Sequence, residues 1–235
     1  VYIFYEKFSR IMKNTLARGG IEFIAVFLGI ALSFYVEEWQ NTNEQKNLLD
    51  KDCKNILLDV NEDIGTINNV IESNKANLKS CNAILRNVKD VSLVNVDSLL
   101  IHLSSLGYPT FFGITKSYKL SYSTGRLNLY GDDTLISEIS QLYDHYYERL
   151  KINSDIYDQV SLRFFDTYVS KNIAYARNGF GYDKNELEQF FSEKVFINEV
   201  LTFRGRVGNY ISRLQETKDQ LYSVKDKLED YIENN

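Results

Sequence analysis

Apolar residues are distributed along this chain in two ways. Between Ile21 and Val36 they run almost unbroken, IEFIAVFLGIALSFYV, whereas later segments repeat them at separations of three and four with polar residues between. Extended from Gly19 to Trp39, the run is about 21 residues, enough at about 1.5 Å per residue to cross a hydrocarbon core of about 30 Å. Trp39 supplies the amphipathic ring expected where a span meets water. The pattern predicts one transmembrane helix over residues 19–39. Ahead of it, Ile3, Phe4, Phe8, Ile11, Met12 and Leu16 share one helical face, and Lys7, Arg10, Lys13 and Arg18 share the other. That arrangement predicts an amphipathic helix over 1–18 lying in the membrane interface. A cleaved signal peptide is not expected, since the basic region is long and no small-residue cleavage site precedes Glu37.

Beyond Gln40–Glu44 the residues Cys53, Leu57, Val60, Ile64, Ile67, Ile71, Leu78, Cys81, Leu85 and Val88 alternate in steps of three and four, with Asn74 in the vacant position. This is a heptad seam sustained over about five repeats, and it predicts a long coiled-coil-like helix over 45–89. Residues 90–131 break the pattern. They predict a short helix near Val96–Leu106, a loop holding Gly107, Pro109 and Gly113, and a second short helix from Thr115 to Gly125. This segment is expected to cap or wrap the bundle. Asp132 or Asp133 offers an N-cap for a second long helix over 133–175, broken by Gly179 and Gly181. A third is expected over 184–233, with Gly205 and Gly208 interrupting its middle. The fold expected is all-α: an elongated up-down-up bundle of three long helices in an extramembrane domain, residues 40–235, standing on one span.

Composition supports this picture. Pro109 is the sole proline of 235 residues, and proline is expelled from helix interiors because it lacks the amide donor. Seventeen Tyr and fourteen Phe suggest seams packed with large rings. The net charge of -5, without a basic block past the N-terminus, gives no support to nucleic-acid binding. Cys53 and Cys81 fall on one predicted helix about 42 Å apart at helical rise, too far for a disulfide within it, so they read as small core residues. His102 and His145 show no metal-ligand spacing. No phosphate loop, nucleophile elbow or HExxH helix is found, and no cofactor or catalytic residue is expected.

Inside the span, Ala25, Gly29 and Ser33 recur every fourth residue. Small residues so spaced allow two helices to approach closely in lipid, the other reading being a chance run facing lipid. Glu22 is ionisable within the apolar run; it reads as a surface pair with Arg18, one turn earlier, with an ion or proton path as the rival reading. In the extramembrane part, Arg204 and Arg206 could join Tyr143, Tyr146 and Tyr147 in an anion or partner site, against the plainer reading of helix-surface ion pairs.

Three segments taken together, GGIEFIAVFLGIALSFYVEEWQ, SYKLSYSTGRLNLYGDDTLISEISQLYDHYYERL and NEVLTFRGRVGNYISRLQETKDQL, resemble an uncharacterised family of single-pass membrane proteins of Gram-negative bacteria. Glu22, Gly29 and Trp39 match its span, while Tyr118, Thr124, Gly125, Tyr146 and Tyr147 match its middle motif. Glu37 and Glu38 stand where that family commonly has paired Asn. The resemblance implies topology and fold, with no activity attached.

The expectation is therefore a non-enzymatic scaffold or accessory subunit in a bacterial inner membrane. Its partners would be the lipid bilayer and either itself or other membrane subunits. The basic flank predicts a cytoplasmic N-terminus and a periplasmic bulk, although Lys46, Lys51 and Lys54 narrow the asymmetry, and the reverse orientation leaves the fold unchanged. The alternative is a periplasmic ligand-sensing bundle using the tyrosine and arginine residues.

Overall fold

The computed structural model describes residues 2–89, 95–171, 173 and 181–234, with side chains from residue 19 onward. Every regular element among them is helical, and none is a strand. The chain divides into two compact units, Val1–Leu49 and Asp50–Asn235. Helix α1 (Tyr2–Asn87) contributes to both. It passes through residues 40–44 without a break, where the polar stretch suggested a junction. From Ile30 to Ile64 there is no Gly or Pro to stop it.

In the first unit, α1 carries the apolar run. Ile21, Phe23, Phe27, Leu32 and Phe34 are all more than half exposed, as is Trp39 at 59%. One helix is thus long and apolar enough to cross a membrane, and none of its most apolar 18-residue window is buried. The expected amphipathic face of residues 1–18, Arg18 included, falls on side chains outside the described residues.

The second unit owes its shape to polar as well as apolar residues of α1. Its buried residues include a regular seam of Cys53, Ile56, Val60, Asp63, Ile67, Val70, Asn74, Asn77, Cys81, Ile84 and Val88. Half of this seam agrees with the heptad expected from sequence. The other half sits one residue earlier: Ile56 instead of Leu57, Asp63 instead of Ile64, Asn77 instead of Leu78, and Ile84 instead of Leu85. At the remaining step Val70 joins the buried Ile71. Both cysteines are buried free thiols.

Helix α2 (Val96–Ser105) starts at Asn95, whose side chain accepts from the Ser98 amide. Helices α3 (Lys116–Ser123) and α4 (Arg126–Tyr130) are joined by Gly125, at φ 73° the left-handed residue that closes α3. Asp132 caps α5 (Asp133–Ser140) by accepting from Thr134 and Leu135. A π-helical stretch, Gln141–Tyr147, leads into α6 (Glu148–Phe164), and a second, Phe165–Ser170, follows it. The expected end of this helix near Tyr175 and Gly179 lies outside the described residues.

Helix α7 (Lys184–Ser192), capped by Asp183, is separated from α8 (Lys194–Asn234) by Glu193, whose ψ of 131° is extended. The sequence suggested one continuous helix here. Residues 191 and 196 would lie about 140° apart around a straight helix. The break instead lets Phe191 and Phe196 both be buried, with ring centroids 5.3 Å apart. Gly205 and Gly208, expected to interrupt α8, lie within it, and nothing stands within 4 Å of a Cβ added at either.

The pairings fix the direction of each element. Tyr147 meets Asp63 and Tyr157 meets Asn74, so α5–α6 runs parallel to α1. Glu138, Tyr157 and Phe164 meet Gln220, Tyr210 and Phe203 respectively, so α8 runs antiparallel to α5–α6. Asn77, Asp63, Asp59 and Asp52 of α1 meet Gly107, Ile114, Ser117 and Arg126 in turn. The segment expected to cap or wrap the bundle therefore returns along the side of α1 instead of closing its end. This corrects the up-down-up order: α1 and α5–α6 point the same way, and only α8 among the long helices opposes them. The lengths agree. Seven residues from Gly107 to Ile114 span about 23 Å when extended, and the fourteen from Asp63 to Asn77 rise about 21 Å in a helix.

Candidate functional site

An extended segment packed on a helix has no strand to satisfy its amides and carbonyls, and each one left unpaired in a buried place costs about 1–3 kcal/mol. The side chains of α1 supply the partners. Asn77 makes two bonds to one residue, its Nδ2 donating to the Gly107 carbonyl at 2.9 Å and its Oδ1 accepting from the Gly107 amide at 3.0 Å. Asn74 donates to the Pro109 carbonyl at 2.9 Å and accepts from the Tyr157 hydroxyl at 2.9 Å. The Phe111 amide donates to the Tyr210 hydroxyl at 2.9 Å, which in turn is 2.9 Å from the Ser154 hydroxyl. Lower down, the Ser117 amide donates to Asp59 at 3.2 Å, and Arg126 pairs with the buried Asp52 at 2.8 Å.

The densest part of this system is centred on Asp63, which is 1% exposed. Its carboxyl group accepts from the Ile114 amide at 2.9 Å and from the Tyr147 hydroxyl at 2.5 Å. Tyr147 comes from the first π-helical stretch, as does Tyr143, whose ring stands edge-on to it at 5.1 Å. Tyr143 stacks on Tyr118 of α3 at 4.3 Å with the planes 4° apart, and the Tyr118 hydroxyl donates to Asp144 at 2.9 Å. Phe111 of the return segment meets Tyr147 edge-on at 5.7 Å. Gly113 lies beneath the Tyr147 ring so closely that a Cβ there would come within 2.2 Å of it. Four segments are thus locked at one level of α1.

The electrostatics of this cluster are uneven. Burial pushes the Asp63 carboxyl up to about 6; the bonds from Tyr147 and Ile114 oppose that rise, and the negative charges of Asp59 and Glu62 add to it. Tyr118 is pushed up to about 12, by burial first and then by its bond to Asp144. Tyr143 and Tyr147 are held far above the ordinary phenol range, again by burial first and then by Asp63. The Tyr143 hydroxyl, inside the cluster, has no hydrogen-bond partner, and neither does the buried Ser121 hydroxyl of α3.

The sequence-derived candidates are placed as follows. Tyr143 and Tyr147 are core members of the cluster, while Tyr146 is half-buried against His145, with ring centroids 5.3 Å apart. Arg204 and Arg206 are exposed on α8. Arg204 acts on Cys81, eighteen residues beyond Asp63 in α1 and about 27 Å along it, so Arg204 is not brought to the tyrosines. In the first unit Ala25, Gly29 and Ser33 lie on the exposed surface of α1, and the Ser33 hydroxyl donates to the Gly29 carbonyl at 2.9 Å. Glu22 is exposed beside them. Among the described residues no group of three or more His, Cys, Asp and Glu is arranged to hold a metal ion. Asp63, Asn77, Asp59 and the Asp52–Arg126 pair were missed. For Asp63 and Asn77 the signal was their place in the alternative phase of the heptad, where each was passed over for an apolar neighbour, Ile64 or Leu78; Asp52 and Asp59 lie outside both phases.

A family model matches residues 22–172, more than half of the chain. The chain belongs to the family of unknown function DUF6090. The matched stretch begins in the apolar run of α1 and takes in the return segment, the tyrosine cluster and both π-helical stretches. No curated protein and no solved structure matches the chain.

Proposed function

We propose that this DUF6090 protein is a non-enzymatic, membrane-anchored helical scaffold, inserted in a bacterial inner membrane with its N-terminus cytoplasmic and the bulk of the chain periplasmic, which assembles with itself or with a larger envelope complex. The observation that carries the reading is the apolar window of mean hydropathy 1.9 within α1, none of it buried by the rest of the chain. Water is a poor solvent for that surface, and lipid or another apolar span is a good one. The Ser33 hydroxyl, bonded back to its own helix, keeps the Ala25, Gly29 and Ser33 stripe free of unsatisfied polar groups. The second unit supports the non-enzymatic part. Asn74, Asn77, Asp59 and Asp63 face inward, and all of them are engaged in holding the return segment.

The test is extraction of the full chain from membranes. Resistance to alkaline carbonate, release by mild detergent as an oligomer or with a companion at fixed stoichiometry, and dispersal by Gly29→Ile are expected. Recovery of the unaltered chain in the carbonate-soluble fraction would overturn the anchor, and an unchanged assembly in Gly29→Ile would remove the span's role in it. Labelling of a cysteine introduced at Asn235 by an impermeant maleimide in intact cells is expected from the orientation.

A further inference from the structure

We propose that Asp63 is a proton-operated latch, which holds the return segment and the first π-helical stretch against α1 when neutral and loosens its grip when ionised. This goes beyond the scaffold reading and is independent of it.

The geometry makes the case first. Asp63 of α1 is bonded both to the return segment, through the Ile114 amide, and to the π-helical stretch, through Tyr147. The groups around it are Asp59 and Glu62 from α1 itself, the Ile114 amide and the Tyr118 phenol from the return segment and α3, and Tyr143 and Tyr147 with Asp144 from the π-helical stretch. None of these is a cation. A buried carboxylate with neutral donors and acidic neighbours lacks the counter-charge that would hold it ionised. A neutral carboxyl group, by contrast, removes the buried charge and still accepts from both the Ile114 amide and the Tyr147 hydroxyl through its carbonyl oxygen, Oδ2.

The sign follows from the raised pKa. Asp63 moves from an ordinary 3.8 to about 6 in the closed cluster. The closed form therefore binds the proton more tightly than an opened one, and the stabilisation is complete below the ordinary value and lost as pH rises through about 6. Opening exposes Asp63, Ile114 and the underside of Tyr147 together, since Gly113 leaves no slack beneath the ring.

The experiment uses the full chain in detergent micelles, following the Asp63 carboxyl carbon by NMR and the exchange of the Ile114 amide, corrected for the intrinsic pH dependence of exchange. Expected are a carboxyl midpoint near pH 6 and an opening constant at Ile114 that rises roughly 25-fold between pH 4.5 and 7.5. Asp63→Asn should abolish that rise. Tyr147→Phe keeps the ring over Gly113 and removes one donor to the ionised form, so its midpoint should move upward. The proposal is overturned by a midpoint at or below 4, by the same rise in Asp63→Asn, or by a midpoint in Tyr147→Phe that stays or falls. Should Asp63→Asn fail to fold, the wild-type and Tyr147→Phe titrations decide alone.

Discussion

Gly113→Ala is the sharpest single test of the cluster. The added Cβ would stand 2.2 Å from Cε2 of Tyr147, 2.6 Å from Cδ2 and 2.7 Å from Cζ, distances no pair of carbons can hold. Tyr147 cannot swing aside cheaply, because it is 7% exposed, boxed by Phe111 and Tyr143, and bonded to Asp63. Either the ring moves and the bond to Asp63 is lost, at about 1.5–3 kcal/mol for a bond to a chargeable group, or the return segment lifts. Overpacking adds about 1–3 kcal/mol in either case. The expected loss is about 3–5 kcal/mol, a melting shift on the order of 10 °C for a unit of this size. Urea unfolding of the full chain in detergent, followed by tyrosine fluorescence, reads it directly. The control is the same substitution in a Tyr147→Ala background, where the space is open and the cost should fall below about 1 kcal/mol. A loss under 1 kcal/mol in the native background, or an equal loss in both, would refute the packing argument.

Two further substitutions test other parts of the fold. Asn77→Ala strips the Gly107 amide of its partner and leaves the carbonyl only the Tyr157 hydroxyl at 3.4 Å, so a loss of about 2–3 kcal/mol is expected in the same unfolding assay. Gly205→Ala places a methyl where nothing lies within 4 Å, and the better helix former should stabilise α8 by about 1 kcal/mol, seen as a rise in melting temperature of a few degrees.

Local signals were legible in the sequence wherever they rested on one residue's chemistry. Asp132 caps its helix, Gly125 adopts the left-handed turn, and α2 and α3 occupy the segments that their punctuation marked out. The break at Glu193 was not legible, because no Gly or Pro marks it; it answers the need to bury Phe191 and Phe196 together, a tertiary demand. Of the candidate site, Tyr143 and Tyr147, read from sequence as lining for an anion or partner, lie in the core, whereas Arg204, read with them, acts at another level of the bundle.

The phase of the α1 seam and the direction of the chain are one problem, and this explains why both were misread. Two parallel helices need a crossover between them, and here that crossover runs partly extended beside α1 with no strand to pair with. Its amides and carbonyls must then be met by side chains, so the flank of α1 that faces it has to be polar at Asp59, Asp63, Asn74 and Asn77. A reading that looks for apolar residues every three and four positions takes Ile64 and Leu78 in place of the neighbouring Asp63 and Asn77, and so loses those two marks of the returning chain. Read with buried Asp and Asn admitted to the seam, the alternation Cys53, Ile56, Val60, Asp63, Ile67, Val70, Asn74, Asn77, Cys81, Ile84, Val88 is unbroken over five heptads. Polar residues at regular core positions of a long helix are then a sequence signal in their own right: here Asp63, Asn74 and Asn77 mark the stretch of α1 against which the extended residues 107–114 are laid.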